Sequence, residues 1–403
     1  MTSEIESRIR ANFPQLAAQM DAVPEVFAPD WLKGAAAQSI GSGDFGPDIF
    51  EEPLARLCSS VNEDANLNAY GRMLLAGMIR TQLENRVLMQ DLRRARKLAA
   101  RPIPPIIVTG LPRTGTTFLH RLLASDPNHA SLPYWQLMRP FPRSESDTPE
   151  VRKNEANAVL DVRRALTPEL DGVHLIRAES PEECMFMTAS SMQSRLYWNL
   201  APVYSFMEWY NTADRTDKYR EYVEALSYLQ THYPDQRLVL KAPDHVDGIS
   251  ELLDVFPEAI IVQTHRDMNE QLGSYMSLGA ITRSLAVRTL DPVREAEAIL
   301  ELTDSSIERN AAARLKHPGK ILDIRYVDLV ADPMRCVKAI YDHAQIQLST
   351  EQRETLKDHL QGNAKNKHGT HDYDLSQLGL SEGELSERFA EYENRFLKQS
   401  AFS

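Results

Sequence analysis

The chain has 403 residues, of which 42% are hydrophobic, and this is enough for a sizeable core in one large or two modest domains. Its formal net charge of −12 argues against a general nucleic-acid-binding protein, because such a protein needs a basic surface; an anionic ligand would need a local basic pocket. The three cysteines, Cys58, Cys184 and Cys336, are widely spaced, so the sequence indicates neither a disulfide framework nor a cysteine zinc site and favours a reducing cytoplasm.

Residues 1–100 are predicted to be helical and to pack on a core formed by residues 101–403. They begin with a polar, acidic stretch that lacks the apolar core of a signal peptide, and no run of 18 apolar residues predicts a membrane span. Apolar residues recur at helical spacing between Ala65 and Ala99, and this predicted helix ends in a basic cluster, Arg93, Arg94, Arg96 and Lys97. The cluster complements the negative end of a helix dipole; peripheral contact with a membrane surface is the alternative.

A strand, a tight loop and a helix are predicted next. The apolar run from Ile106 ends at Gly110, and a second glycine, Gly115, is followed by two threonines. Backbone N–H groups in such a loop, at a helix N-terminus, favour a phosphate. The spacing is that of a P-loop, but Thr116 stands where a nucleoside triphosphatase has lysine, and Arg113 supplies the cation instead. We therefore expect phosphate binding without handling of a γ-phosphate; the alternative is a turn that binds nothing.

Three further apolar runs predict strands, namely Leu238–Leu240, Ala259–Val262 and Ile321–Ile324, and helical patterns separate them. This alternation predicts an α/β fold of the P-loop type, with a doubly wound parallel sheet. In such a sheet the ligand crevice lies beyond the carboxyl ends of the strands. Basic or hydroxyl residues follow each predicted strand, and they include Lys241, Arg266, Ser274 and Tyr326. Their convergence would suit a nucleotide with two anionic groups.

Residues 140–235 are predicted to form a mainly helical insertion rich in aromatic residues. Packing of a helical core explains most of them, and an insertion over the mouth of the crevice could also line an apolar acceptor pocket. The C-terminal segment carries a capping box from Ser381 to Glu384, followed by apolar residues on one helical face. We expect that face to serve packing.

The loop sequence from Pro112 to Thr117 resembles the 5′-phosphosulfate loop of sulfotransferases that use 3′-phosphoadenosine 5′-phosphosulfate (PAPS). Arg266 and Ser274, spaced as Arg-x7-Ser after a strand, are similar to the 3′-phosphate site of that family. Tyr326, which opens a Tyr-x-Asp-Leu segment, matches a nucleotide-contacting tyrosine. The resemblance implies that these residues bind the cofactor: Arg113, Thr114, Gly115, Thr116, Thr117, Arg266, Ser274, Tyr326, Lys367 and Gly369. Lys367 and Gly369 belong to a Lys-His-Gly segment similar to the family's late basic loop.

The order of the motifs resembles a bacterial and mycobacterial branch of the same family. Leu240–His245 and Thr264–Asp267 are similar to segments that this branch carries at comparable intervals, and the resemblance covers roughly residues 35–398. Arg266 also has alternatives, which are ion pairs with Asp267 or Asp323, and Ser274 has the alternative of capping a helix.

The resemblance implies transfer of the sulfuryl group of PAPS to a hydroxyl, with adenosine 3′,5′-bisphosphate as the product. Arg113 and Lys241 are the candidates for stabilising the charge that develops during in-line transfer. Cytosolic members of the family have a histidine that acts as general base at the position of Pro243 in this chain. Other members have a carboxylate base at a position near Trp135, but here that position is Gln136, whose amide cannot act as a base.

The sequence therefore leaves the general base to His245 first and Glu183 second, with Glu182 as a further candidate. Both glutamates also suit the first turn of a helix after a proline, a structural role that we weigh equally.

No clustered ligand spacing indicates a metal. The acceptor is expected to be a small apolar alcohol, such as a lipid, steroid or phenol, and the oligomeric state is left open.

Two other classes of function compete with this hypothesis. A P-loop kinase or nucleotide hydrolase would need a lysine at position 116 and a strand-end aspartate for magnesium, for which Asp244 and Asp267 are weak candidates. A non-catalytic nucleotide-binding protein would leave Lys241, His245 and Glu183 without a chemical role.

Overall fold

The computed structural model describes residues 2–95, 97, 101–168, 170, 175–363 and 380–398. The chain divides into two compact units. The first comprises Met1–Ala100, Pro133–Leu229 and Leu278–Ala298, and the second comprises Arg101–Leu132, Gln230–Ser277 and Ile299–Ser403.

Helices α1–α5 and strand β1 come first in the chain: α1 Thr2–Asn12, α2 Pro14–Ala22, α3 Pro29–Ile40, α4 Glu51–Glu63, α5 Ala69–Arg94 and β1 Ile106–Gly110. The middle of the chain contains α6 Thr116–Leu123, β2 His129–Ala130, α7 Tyr134–Met138, α8 Pro149–Leu166, α9 Met185–Thr188, α10 Leu196–Leu200, α11 Tyr204–Thr212 and α12 Thr216–Gln230. The remaining elements are β3 Arg237–Lys241, α13 Ile249–Val255, β4 Ile260–His265, α14 Met268–Ser284, α15 Pro292–Lys316, β5 Ile321–Arg325, α16 Tyr326–Ala331, α17 Pro333–His343, α18 Thr350–Asn363, α19 Glu382–Arg388 and α20 Ala390–Phe396.

The first unit contains helices without a multistranded sheet in its described residues. Its long helix α5 begins at Ala69 rather than at the predicted Ala65, because the Asn68 side chain accepts a hydrogen bond from the N–H of Gly71 and caps the helix. The basic residues at the other end of α5 form ion pairs: Arg93 with Glu224, and Arg94 with Asp91 and Asp44. Ion pairing thus accounts for two members of the predicted basic cluster.

The second unit is built on a five-stranded sheet with the strand order β2-β3-β1-β4-β5, in which every pair is parallel. This confirms the predicted α/β fold. The carboxyl ends of the strands meet at one edge, because Val108 pairs with Lys241, Gly110 with Thr264 and His265 with Arg325. Residues that follow or end these strands therefore lie side by side.

Strands β1, β3 and β4 are buried along nearly their whole length, and for this reason they contain continuous apolar runs rather than alternating patterns, whereas β5 is mostly only partly buried. Buried side chains from β1, β3, β4 and β5 pack with those of helices α6, α16, α17 and α18 in one cluster, which includes Val108, Leu119, Val239, Val262, Ile324, Leu329 and Ile340. The core holds the strand ends in place, and it is these ends that carry the polar residues.

Three predicted strand ends are corrected by the structure, and one of them is that of β5, which ends at Arg325 rather than at Ile324. Lys241 is the last residue of β3 rather than the first residue after it, and Gln263–His265 belong to β4 rather than to the following loop. The strand continues through these polar residues because they pair with neighbours on both sides, Gly110 with Thr264 and His265 with Arg325. The predicted capping box is confirmed: the Ser381 hydroxyl accepts from the N–H of Glu384, and the Glu384 carboxylate accepts from the N–H of Ser381.

Candidate functional site

The loop between β1 and α6, residues 110–117, is shaped by two glycines with positive φ. A Cβ atom added to Gly110 (φ +148°) would lie 2.6 Å from the carbonyl oxygen of Thr264. A Cβ atom on Gly115 (φ +93°) would lie 2.7 Å from the ring of Tyr326. Both positions therefore require glycine for steric as well as conformational reasons. The loop is thereby brought against the ends of β4 and β5.

Arg113 is in the left-handed region with φ +69°, which is uncommon for a residue other than glycine. Its neighbours hold it there: Arg266 donates from Nη1 to the Arg113 carbonyl oxygen at 3.2 Å, and Gln271 donates to the carbonyl oxygen of Pro112 at 2.8 Å. Strained backbone of this kind persists where surrounding contacts impose it, and it is common at functional sites.

The threonines of the loop have two different roles. Thr114 is fully buried; its hydroxyl donates to the carbonyl oxygen of Leu111 at 2.7 Å and lies 2.7 Å from the hydroxyl of Thr264. Its hydroxyl therefore stabilises the loop through buried hydrogen bonds to the loop backbone and to β4. Thr116 and Thr117 are the first residues of α6, for which Gly115 is the N-cap. The N–H groups of a first helical turn lack intrahelical acceptors and attract anions.

The cationic side chains predicted for the two phosphate groups lie together. Nε of Arg113 donates to the hydroxyl of Ser274 at 2.8 Å, and the guanidinium carbon of Arg266 lies 4.6 Å from the ring centroid of Tyr326. Together with the Arg266–Arg113 bond, these contacts join four of the predicted residues. This arrangement can present guanidinium and hydroxyl donors to phosphate oxygens, which is the geometry that phosphate recognition uses.

The structure differs from both alternatives considered for Arg266 and Ser274. Arg266 forms an ion pair with Glu270, with Nε and Nη2 at 2.9 and 2.7 Å from one carboxylate oxygen, instead of with Asp267 or Asp323. Asp323 is paired with Arg314. Ser274 lies within helix α14, so it does not cap a helix end.

Lys241 connects the end of β3 to the loop. Its side chain is almost entirely buried, with 1% of the residue exposed, and Nζ lies 3.3 Å from the hydroxyl oxygen of Thr117. The amine is thereby held beside the first turn of α6. A lysine in this place can stabilise negative charge that develops on a group bound at that turn.

His245 is fully buried at the end of a 3-10 turn, Pro243–His245, and helix α13 begins only at Ile249. The following backbone is tied to α15, because Asn310 donates to the carbonyl oxygen of Val246 and Arg309 donates to that of Asp247. The position of His245 after β3 is therefore well supported by hydrogen bonds.

The candidate glutamates belong to the first unit. Glu182 is buried, and its carboxylate accepts from the N–H of Glu183 at 3.2 Å. Helix α9 begins at Met185, so neither glutamate lies inside its first turn. Gln136 is a buried residue of α7. Lys367 and Gly369 lie outside the described residues.

Several residues that matter for this geometry were not identified from the sequence. Glu270 and Gln271, one turn into α14, contact Arg266 and the loop backbone. The spacing of four residues between Arg266, which precedes α14 by two residues, and Glu270 in its first turn is a usable signal, since side chains spaced in this way can meet at a helix start. Among the described residues, no group of three or more His, Cys, Asp and Glu could hold a metal ion. None of the described helices is long and apolar enough to cross a membrane.

The central strand of the parallel sheet, β1, leads through a glycine-bounded loop to the N-terminus of α6. This arrangement defines an α/β protein of the P-loop type. Residues 104–350 match the model of the sulfotransferase family, and the chain belongs to this family.

Relatives and solved structures agree with this assignment. The omega-hydroxy-beta-dihydromenaquinone-9 sulfotransferase Stf3 of Mycobacterium bovis is 26% identical over 247 residues, which are 60% of this chain and 62% of that protein. Sulfotransferase STF1 of Mycobacterium tuberculosis is 31% identical, with a TM-score of 0.79 over 91% of this chain and 99% of its own. Sulfotransferase STF9 of Mycobacterium avium is 26% identical, with the same TM-score of 0.79 over 93% of this chain and 98% of its own.

Proposed function

We propose that this protein is a PAPS-dependent sulfotransferase that transfers the sulfuryl group to a hydroxyl of a small apolar acceptor. Membership of the sulfotransferase family supports the reaction class. The observation that carries the choice of donor is the convergence of Arg113, Ser274 and Arg266 beside the loop before α6. Two cations and a helix N-terminus in one place suit a ligand with two anionic groups better than a single phosphate.

The 5′-phosphosulfate is proposed to bind at residues 113–117. Backbone N–H groups of Gly115, Thr116 and Thr117 would donate to its oxygens, with Arg113 and Lys241 providing positive charge. The hydrogen bond between Lys241 and Thr117 supports this assignment, since it holds the amine at the helix N-terminus. ATP bound here would not meet the lysine that a P-loop kinase has at the position of Thr116.

The 3′-phosphate is proposed to bind Arg266 and Ser274, and the nucleoside to lie near Tyr326. Arg266 is partly exposed, with 25% of its side chain accessible, so an incoming phosphate can reach it. Lys367 and Gly369 remain predicted members of this subsite. Because the 3′-phosphate distinguishes PAPS from adenosine 5′-phosphosulfate, Arg266 and Ser274 would set this specificity.

In the proposed reaction an acceptor oxygen attacks sulfur in line with the bond from sulfur to the 5′-phosphate oxygen. The new S–O bond forms as the bridging bond breaks, and the electron pair stays with the departing bisphosphate. Lys241 would stabilise the charge that develops on the bridging oxygen, and Arg113 the charge on the sulfuryl oxygens. The acceptor proton passes to a general base, for which His245 is the first candidate and Glu183 the second.

An apolar alcohol is the proposed class of acceptor. The name of the relative Stf3 specifies a hydroxylated menaquinone-type lipid as the substrate of that protein. In this chain the aromatic residues of the 140–235 segment include Tyr197, Trp198, Phe206 and Tyr210, all fully buried. They serve the core of the first unit, so the acceptor assignment depends on the relative rather than on these side chains. Cys58, Cys184 and Cys336 are buried and form no disulfide, which supports the proposed cytoplasmic location.

The experiment is a transfer assay with radiolabelled PAPS and a panel of acceptors: a hydroxylated quinone lipid, a sterol, a phenol and a sugar. Label in an organic-extractable product, absent with Lys241→Met, is the expected result. A parallel thermal-shift measurement compares adenosine 3′,5′-bisphosphate with ATP plus magnesium. A ligand at about 100 times its Kd should add about 2.7 kcal/mol to stability. Stabilisation by ATP plus magnesium alone, with no transfer to any acceptor, would reject the proposal in favour of a nucleotide hydrolase or kinase.

A further inference from the structure

The C-terminal clasp, residues 381–398, comprises helices α19 and α20 and lies against the carboxyl ends of β4 and β5. Several residues that it contacts are chain neighbours of Arg266 and Tyr326, among them His265, Met268 and Arg325. Sequence patterns assigned this segment to packing alone. Its buried residues Leu385, Phe389 and Tyr392 do pack, but its polar contacts are concentrated at the strand ends.

The first anchor is His265, the residue before Arg266. Its ring is fully buried and stacks on Phe396 with 4.3 Å between centroids and 6° between planes. Nδ1 lies 2.8 Å from the hydroxyl of Tyr392, and Nε2 lies 2.8 Å from Asp323. A neutral ring that donates from Nε2 to the carboxylate and accepts the tyrosine proton at Nδ1 satisfies all three groups.

The second anchor is at β5 and the third at the start of α14. Arg325, the residue before Tyr326, donates from Nη1 to the carbonyl oxygen of Leu397 at 3.1 Å. The N–H of Met268 donates to the carboxylate of Glu393 at 3.2 Å, and Asn269 donates to the hydroxyl of Ser386 at 3.0 Å. Contacts with the clasp thus flank Arg266 on both sides and Tyr326 on one.

We propose that the C-terminal clasp is a positioning device for the nucleotide site, with Tyr392 and Phe396 acting through His265 on Arg266. This inference depends on the proposed function, because it assigns the clasp to the 3′-phosphate subsite. An arginine that follows a strand end can hold its guanidinium in one direction toward a phosphate only if the backbone before and after the arginine is fixed. The clasp fixes it at His265 and Met268, and the ring of Tyr326 supports the guanidinium from the side.

The polar anchors matter because the clasp packs incompletely against α15, in a region that Tyr392 and Phe396 also line. A pocket of about 280 Å³ lies between the clasp and α15, and residues such as Asp304, Glu308, Arg388 and Glu391 line it. The ion pair between Arg388 and Asp304 bridges this side. Loss of an anchor at His265 is therefore less readily compensated by the rest of the interface.

The test compares Tyr392→Phe with Tyr341→Phe. Tyr341 is a matched control, because it is a buried tyrosine of the same unit whose hydroxyl donates to a side chain outside the residues proposed for the site, the carboxylate of Asp126. Both variants lose one buried hydroxyl. Isothermal titration with adenosine 3′,5′-bisphosphate and with adenosine 5′-phosphosulfate then reports on the 3′-phosphate subsite separately from stability.

Tyr392→Phe is expected to weaken bisphosphate binding about 3- to 10-fold, the effect of one hydrogen bond, and adenosine 5′-phosphosulfate binding less than about 2-fold. Tyr341→Phe should change neither affinity. In an Arg266→Ala background the Tyr392→Phe effect on the bisphosphate should disappear, because the residue through which it acts is absent. Phe396→Leu removes the stacked ring, provides a second variant, and should show the same selectivity.

Equal affinities for Tyr392→Phe, Tyr341→Phe and the unmodified protein would overturn the positioning role while leaving the sulfotransferase proposal intact. The positioning role would also be overturned if Tyr392→Phe weakened the binding of both ligands equally. The same holds if its effect on bisphosphate binding persisted in the Arg266→Ala background. An unmodified protein that binds adenosine 5′-phosphosulfate no more weakly than the bisphosphate would overturn the 3′-phosphate assignment and the positioning role together.

Discussion

Nε of Arg113 donates a hydrogen bond to the hydroxyl of Ser274 at 2.8 Å, although 161 residues separate them in the chain. Arg113 belongs to the loop proposed for the 5′-phosphosulfate, and Ser274 to the subsite proposed for the 3′-phosphate. One bond therefore links the two halves of the proposed nucleotide site. Arg113 retains further hydrogen-bonding capacity, since a guanidinium has five N–H donors.

The first prediction concerns Arg266→Ala. This variant should weaken binding of adenosine 3′,5′-bisphosphate by about 10- to 150-fold, the loss expected for a charge-assisted hydrogen bond worth about 1.5–3 kcal/mol. Adenosine 5′-phosphosulfate lacks the 3′-phosphate and should be affected much less. Isothermal titration measures both. If the two ligands lose equal affinity, Arg266 does not bind the 3′-phosphate.

The second prediction concerns Glu270, which shares the Arg266 guanidinium with any incoming phosphate. Glu270→Gln should tighten bisphosphate binding by about 2- to 5-fold at low salt, because it removes a like charge beside the phosphate, and the gain should shrink at high salt. Stability should change by less than about 0.5 kcal/mol, since the Glu270 side chain is 61% exposed.

The matched control for Glu270→Gln is Glu354→Gln, which also breaks an exposed ion pair on a helix, with Lys357, in the same unit. It should leave the affinity unchanged. Weaker binding in Glu270→Gln would show instead that the carboxylate holds Arg266 in its binding orientation.

The third prediction ranks the candidate bases. His245→Gln should lower kcat by about 10²–10⁴-fold, the usual range for loss of a general base, and should leave bisphosphate affinity nearly unchanged. Glutamine keeps more of the buried volume than alanine would, so the fully buried site is less disturbed. Turnover retained in His245→Gln but abolished in Glu183→Gln would assign the proton transfer to the carboxylate.

The fourth prediction is that turnover does not need a divalent metal. Thr116 replaces the lysine of the lysine–magnesium arrangement in nucleotide hydrolases, and the described residues contain no metal-binding cluster. Transfer rates in EDTA should equal those in magnesium within about 2-fold, on the view that positioning and protein cations supply the catalysis. Activity lost in EDTA and restored by magnesium would contradict the proposed mechanism.

The fifth prediction is a loss of stability, as the pH falls below about 6.5, that depends on His265. Burial lowers the pKa of His265, although its hydrogen bond with Asp323 acts in the opposite direction. Its folded-state pKa is thus below the unfolded value of about 6.5. The unfolded chain binds more protons in this window, so the stabilising contribution is present above pH 6.5 and is lost as the pH falls.

The other groups facing His265 are Asp323, Arg314, Arg395 and Tyr392. Burial would raise the pKa of Asp323, but hydrogen bonds from His265 and Arg314 outweigh it and hold this pKa below its usual range. The Asp323 contribution is therefore lost only below about pH 4. Urea unfolding at pH 7.5 and pH 5.5 should show a smaller difference in His265→Gln than in the unmodified protein. An identical difference would remove His265 as the cause.

Local chemistry made the strand–loop–helix from Ile106 onwards predictable, because Gly110, Gly115 and the threonines specify backbone geometry within a few residues. The parallel sheet then implied that Lys241, Arg266 and Tyr326 would share one edge. The polar end of β4 was not predictable in the same way. Gln263, Thr264 and His265 look like a loop, yet each is buried with a partner that lies far away in the chain.

The partners that make β4 continue are Asn310 for Gln263, Thr114 for Thr264 and Tyr392 for His265. No local pattern encodes these distances of 47 to 150 residues. The same is true of the two compact units, since residues 1–100, 133–229 and 278–298 are brought together only by tertiary packing.

The contact between Gly115 and Tyr326 makes these two positions dependent on each other during sequence divergence. Any side chain at 115 would enter space that the tyrosine ring occupies, since a Cβ atom there lies 2.7 Å from Cδ2. Relatives with a residue larger than glycine at the position of Gly115 are therefore expected to carry a small residue in place of Tyr326 and also a changed loop backbone, because φ at Gly115 is +93°. Covariation of this pair across an alignment would record a steric constraint, whereas independent variation would mean that the loop can move away from β5.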